Sequence, residues 1–195
     1  MGRYIKNGLA YIRGGVRFAA SMLGGPRKVA AGVRIFPSAS LDFDRGSIVR
    51  IGTGAKIRER AVVSVRRGAS LEIGASASVG MDCKIAVHEK VQIGEGTLLS
   101  PNVHVYDHDH VFDSNNGVHR KDFISKPIII GKNCWIGANT VILKGTVLGD
   151  NCIVGAGSII NGKYPDNTVL IQRRETNCSR RLECEFYNED KEENK

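Results

Sequence analysis

The segment 102–110, NVHVYDHDH, gathers three of the five histidines of this 195-residue chain, His104, His108 and His110, with the carboxylates Asp107 and Asp109. Neutral imidazole, with a pKa of about 6.5, is the side chain best matched to taking a proton from a weakly acidic hydroxyl at neutral pH. A neighbouring carboxylate orients such a ring or raises its basicity, and Asp107 and Asp109 flank His108. If the segment is extended, positions 104, 108 and 110 fall on one face, so strand alternation leaves all three as candidate bases. The same rings, with His88 and His119, also supply enough nitrogens for a three-histidine zinc site.

These residues open an interruption in a repeat. Apolar anchors recur every six residues at Ile130, Ile136, Ile142, Leu148, Val154 and Ile160, often followed by glycine (Gly131, Gly137, Gly149, Gly155). Four positions after each anchor stands a small side chain: Cys134, Thr140, Thr146, Cys152 and Ser158. The frame appears earlier with phase shifts, at Ile51 and Ile57, at Ile73, Val79, Ile85 and Val91, and at Ile93, Leu99 and Val105. A period of six matches neither an amphipathic helix nor a strand meander. It fits a chain that turns by about 120° after each short strand and closes a triangular coil in about 18 residues, the hexapeptide form of a parallel β-helix. Residues 33–160, less a loop of about twenty, then give about six coils stacked at about 4.8 Å. Cys134 and Cys152 fall on neighbouring coils and Cys83 holds the same kind of place, which reads as small buried packing and not as a nucleophile.

From Asp107 to Pro127 the hexad frame is lost, and Asn115-Asn116-Gly117 marks a turn. A long excursion from a compact repeat is a usual place for function. The expected organisation is a basic amphipathic segment over 1–32, a β-helix over 33–172 with its loop at 107–127, and a charged tail over 173–195.

Hydrophobic residues at 42% and charged residues at 25% exclude a wholly disordered chain. No stretch reaches the roughly 18 consecutive apolar residues of a membrane-spanning helix. The odd count of five cysteines, without paired short spacing, argues against a disulfide framework or a CxxC zinc site and fits a reducing, cytoplasmic compartment. The net charge of +8 is concentrated: residues 1–37 carry seven Lys or Arg and no acid. The core therefore lacks the general basic surface of a nucleic-acid binder. Within 4–23, Ile5, Leu9, Ile12, Val16, Ala19 and Leu23 recur at helical spacing among basic residues. Such a helix has two roles open to it, capping the exposed end of the β-helix or lying on anionic lipid as a peripheral contact through residues 1–30 at the inner membrane.

The run from Ile93 to Pro165, with NVHVYDHDH, PIIIGKNCWIGANTVILKG and VLGDNCIVGAGSII, resembles the hexapeptide-repeat acyltransferases. Within them it is similar to the galactoside and maltose O-acetyltransferases and to the O-acetyltransferases of capsule and lipopolysaccharide biosynthesis. The resemblance implies a left-handed β-helix, a homotrimer, acetyl-CoA held between neighbouring prisms, a carbohydrate acceptor, and no metal. It favours His108, at the start of the loop, as the catalytic base, with Asp107, Asp109 and His110 beside it. It puts Trp135 at the acyl and acceptor site, and the Ala138 backbone N–H, next to Gly137, on the tetrahedral oxyanion. Gly155 and Ala156 would let pantetheine approach the coil.

The chain departs from the family in its last part, NGKYPDNTVLIQRRE, where the GxP-like segment is missing; Lys163, Arg173 and Arg174 are the candidates for the CoA phosphates on charge alone. The short basic segment ahead of the β-helix favours the polysaccharide-modifying branch over a free disaccharide. Asp42 and Asp44 match no acceptor-binding carboxylate, and His88 and His119 read as surface residues. Two other readings keep the fold: an N-acetyltransferase on a nucleotide-linked amino sugar, whose relatives usually carry a separate N-terminal nucleotide-binding domain, and a zinc enzyme resembling the γ-class carbonic anhydrases.

Overall fold

The computed structural model describes residues 27–172; the expected N-terminal helix and Arg173 and Arg174 lie outside the described residues. Every anchor from Ile130 to Ile160, and every small residue four positions on, is buried. The i and i+4 positions both point inward because two residues of each hexad turn the corner, and this closes a triangular prism. Three parallel sheets form its faces, with seven strands on face one (first strand Arg27–Val29), seven on face two (first strand Arg34–Ile35) and six on face three (first strand Ser40–Phe43). The chain visits them in the order one, two, three. It makes six full coils and the first two strands of a seventh, in a left-handed parallel β-helix. Arg27–Val29, the first described strand, already pairs with Val49–Ile51 of the next coil.

The phase shifts have a structural cause. Partners on neighbouring coils are 22 residues apart in coils one and two (Arg27 with Val49, Ile48 with Ser70), 20 in coil three (Ser70 with Lys90), 18 in coil five (Ile129 with Val147) and 16 in coil six (Val147 with Lys163). Each departure from 18 is an even number. An odd one would turn every following core side chain out to solvent, since side chains alternate along a strand. The extra pairs lengthen strands such as Val62–Val65, where Val63 and Val65 both face the core.

Coil four is the exception, at 37 residues between Val91 and Ile128. The excess leaves the prism. In place of an irregular loop it forms a hairpin, His108–Asp113 antiparallel to Gly117–Ser125. The expected turn closes its tip: Asp113 Oδ1 accepts the N–H groups of Asn115 and Asn116, and Gly117 takes φ +69°. At its foot Lys126 donates its N–H to the Asp107 carbonyl, 2.9 Å.

The edges between faces carry the irregular backbone. Glycine follows the anchors for a packing reason: a Cβ on Gly137 would stand 2.5 Å from the Ala156 nitrogen of the next coil. Asn102, Asn133, Asn139, Asn151 and Asn167 take the left-handed corner position, φ +53 to +62°, which asparagine tolerates better than most residues. Two neighbouring pairs join their side-chain amides across coils, Asn102 to Asn139 at 2.7 Å and Asn151 to Asn167 at 3.3 Å.

The inward and outward phase is testable at two adjacent valines. Val63 is fully buried and Val62 is 39% exposed. Val63→Ala is expected to lower the unfolding free energy by about 1.5–3 kcal/mol. Val62→Ala is expected to change it by less than about 0.5 kcal/mol, both read by urea denaturation.

Candidate active site

The edge between faces three and one holds the histidine cluster. Alternation along coil four buries Val103, Val105 and then Asp107, at 0% exposure, and so turns His108 outward. A buried carboxylate needs donors, and the coil beneath supplies them. Asp107 accepts the backbone N–H groups of His88 (2.8 Å), Glu89 (2.8 Å) and Lys90 (2.9 Å). Its fourth contact is His108 Nδ1 at 3.1 Å. A carboxylate only accepts hydrogen bonds, so in the neutral ring Nδ1 carries the proton and Nε2 keeps its lone pair.

The His108 side chain is 14% exposed and lies in an aromatic nest. The His88 ring stacks on it at 3.6 Å between centroids and 21° between planes. Phe123, from the returning hairpin strand, stands edge-on to both, 4.2 Å from His88 and 5.3 Å from His108. His88 is therefore not the surface residue the sequence led us to expect. Burial, then the His108 charge, holds its pKa below the ordinary histidine value. The signal was present in the repeat: Tyr106 pairs with Ala86, so His108 follows His88 by one coil.

The other candidates separate by contact. Asp109 does not orient His108; it pairs with Lys144 and ties the hairpin to coil five. His110 is exposed, with Nδ1 3.3 Å from the His119 carbonyl and its ring tilted against Phe123. His104 faces out of face three, with Nε2 3.1 Å from Asn102 Oδ1, and burial lowers its pKa. His119 stays within the hairpin, paired with Asp113 and Asp122. Asp42 and Asp44 on coil one pair with Arg66 on coil two.

The second group of predicted residues lies on a different edge, between faces two and three. Gly137-Ala138-Asn139 forms the corner of coil five, and Gly155-Ala156-Gly157 that of coil six. Gly137 donates its N–H to Val154 and Asn139 to Pro101. No acceptor among the described residues takes the Ala138 N–H, and Ala156 repeats this state one coil on. Trp135 stands on face two as expected, 52% exposed, with Nε1 donating to Ser100 Oγ at 3.0 Å. Leu98, Ile153 and Val169 continue an exposed apolar column above and below it. Lys163 sits apart on face one of the last coil. One chain therefore brings together Asp107 and His108, and separately Trp135, Gly137, Ala138, Gly155 and Ala156, but not the two groups with each other.

Among the described residues no cysteine stands exposed beside His108. Cys83, Cys134 and Cys152 are buried, and burial pushes the Cys83 thiol up to about 11. A groove of about 540 Å³ runs along face one between Gln92, Ile129 and Val147, and His108 is not among its walls. Among the described residues no three His, Cys, Asp or Glu side chains gather as a metal-binding group.

Residues 127–161 match the family described as "Hexapeptide repeat of succinyl-transferase". A search of curated proteins gave no match. Among solved structures the fold is similar to AntD, an N-acyltransferase from Bacillus cereus. AntD in complex with dTDP and 3-hydroxybutyryl-CoA superposes with a TM-score of 0.63 at 19% identity, over 78% of this chain and 81% of that one. A variant of AntD in complex with dTDP-4-amino-4,6-dideoxyglucose and coenzyme A gives 0.62 at 17%, over 85% and 89%. A maltose O-acetyltransferase from Clostridium difficile 630 gives 0.45 at 26%, over 74% and 62%.

Removing the Asp107 carboxylate leaves three part-buried N–H groups without their acceptor at once. Asp107→Ala is expected to cost about 2–4 kcal/mol of stability, at about 1 kcal/mol or more for each donor left without a partner, read from the urea midpoint. Glu89→Ala, on the same turn, loses no side-chain contact to this cluster and is expected to stay within about 0.5 kcal/mol.

Proposed function

We propose that this hexapeptide-repeat β-helix protein is an acyl-CoA-dependent acyltransferase that moves an acetyl group from acetyl-CoA to a sugar hydroxyl of a surface polysaccharide or its precursor. The observation that carries the reading is the contact of His108 Nδ1 with the buried Asp107 carboxylate at 3.1 Å, which favours the tautomer whose Nε2 can accept a proton. The acyl-CoA and coenzyme A bound by the AntD structures support the choice of donor.

In this mechanism Nε2 of His108 takes the proton of the acceptor hydroxyl as its oxygen attacks the thioester carbonyl. The Asp107 carboxylate stabilises the imidazolium that forms. The oxyanion of the tetrahedral intermediate is met by the Ala138 N–H. As the carbonyl re-forms, the carbon–sulfur bond breaks and the proton passes from Nε2 to the departing CoA thiolate, which returns His108 to its starting state. No acyl-enzyme is needed, since the thioester is already activated and the buried cysteines offer no thiolate.

His108 and Ala138 lie on different edges, so the reading requires a second copy to join them. We propose a homotrimer in which the edge between faces three and one of one prism meets the edge between faces two and three of the next, with Trp135 walling the acceptor and the exposed column on face two covered. Gly155, Ala156 and Lys163, with Arg173 and Arg174, remain the proposed CoA contacts. We place the protein in the cytoplasm, with residues 1–30 as the candidate contact to the inner membrane.

A second reading, transfer to the amino group of a nucleotide-linked sugar, is favoured by the AntD complex with dTDP-4-amino-4,6-dideoxyglucose. AntD matches over 89% of its own chain, so a separate nucleotide-binding domain does not distinguish the two readings. Thiol release from acetyl-CoA, measured across bacterial polysaccharides, free sugars and dTDP-amino sugars, does.

His108→Ala is expected to lower kcat by about 10²- to 10⁴-fold, roughly 3–5 kcal/mol, with little change in acetyl-CoA affinity; His110→Ala should do far less. Ala138 permits a cleaner test. Pro101 occupies the same corner position one coil earlier, ahead of Asn102 at φ +60°, as Ala138 precedes Asn139 at φ +59°. Ala138→Pro therefore fits the turn and removes only the N–H. It is expected to lower kcat by about 10²- to 10³-fold, the cost of one oxyanion donor elsewhere, at near-native stability.

A further inference from the structure

We propose that His88 is a positioning residue for His108: its ring is the platform that fixes the plane of the His108 imidazole and so the direction of Nε2. The inference rests on the acyltransferase reading and names a residue that the mechanism above does not use.

The geometry requires such a platform. The bond from Nδ1 to Asp107 sets one point of the His108 ring, and an imidazole held there alone can still swing about that contact. The stack at 3.6 Å and 21° removes this freedom, and Phe123 stands edge-on to both rings. Platform and base also share one reference atom. Asp107 Oδ1 accepts the His88 backbone N–H at 2.8 Å and the His108 Nδ1–H at 3.1 Å. Coil stacking then does the rest, because the register that pairs Tyr106 with Ala86 puts residue 108 over residue 88.

The chemistry of the platform suits the step. The groups that face His88 are His108 and His110 from the hairpin, Arg66 from the coil below, Asp107 and the Phe123 ring. Burial disfavours a charge on His88, and so do Arg66 and any charge gained by His108 or His110, against Asp107 alone. A neutral ring is thus what lies under His108 when His108 becomes imidazolium, and a cation over an aromatic face is favourable.

The test uses the full chain with ¹⁵N-labelled histidine and no substrate, followed by kinetics with acetyl-CoA. In wild type and in His88→Phe, which keeps a stacking ring, the Nδ1–H resonance of His108 should be sharp and slow to exchange with water. In His88→Ala it should broaden or disappear. In acetyl transfer, His88→Ala should lower kcat by about 10- to 100-fold, the scale of a misplaced catalytic group, at unchanged KM for acetyl-CoA, and His88→Phe should recover most of the loss. An Nδ1–H resonance in His88→Ala as sharp and protected as in wild type overturns the proposal, and so does a His88→Phe protein no more active than His88→Ala. Wild-type protein that transfers acetyl to no acceptor defeats the acyltransferase reading instead, and the resonance still decides the positioning role.

Discussion

The structure depends on one constraint: within each coil the side chains that face inward must stay in phase with those of the coil beneath. A six-residue step with two inward positions satisfies it for any number of coils. The consequences reach beyond the core. Small side chains are required four positions after each anchor, where Cys134 and Cys152 pack on neighbouring coils. Glycine follows anchors because the next coil leaves no room for a Cβ. Inserted residues enter in pairs, and the one odd excess, in coil four, leaves the prism altogether as a hairpin. A solenoid built this way leaves chemistry only its outward faces and its three edges.

Asp107 shows how the constraint becomes a site. It occupies an inward position at the point where coil four stops being regular. A carboxylate there could not stay buried unless donors were present, and the turn at 88–90 has three backbone N–H groups that the next coil would otherwise have to satisfy. The interaction replaces a missing stretch of β-ladder, holds the hairpin foot, and leaves one direction open, which His108 Nδ1 fills. Stability and the proposed catalytic geometry are therefore served by the same atoms. That is consistent with a base whose ring must not move.

Much of this was legible before the fold was known. The hexad frame set the architecture, the burial of Cys83, Cys134 and Cys152 and the outward direction of Trp135, because each follows from periodicity. The interruption and its turn were legible from the loss of that frame. Two things were not. The role of His88 was hidden because it depends on register between coils of unequal length, 20 residues here and not 18. The alternation Val103, Val105, Asp107 marks Asp107 as inward and His108 as outward, but it leaves His104 and His110 on the same side as His108; the break between strands at Asp107 and the contact made there separate them. The pairing of Asp109 was hidden by distance: its partner Lys144 is 35 residues away in sequence and one coil away in space.

The central claim is that one chain carries two halves of a site on different edges, a clamped base at His108 and an amide donor at Ala138, and that activity arises where two prisms meet. Co-assembly of two inactive chains tests it directly. His108→Ala and Ala138→Pro chains, co-expressed in equal amounts and purified together, are assayed for acetyl transfer. The account predicts that activity returns to about a quarter of the wild-type level, the share of interfaces that random mixing leaves with both native groups. A mixture no more active than its two parents would contradict it.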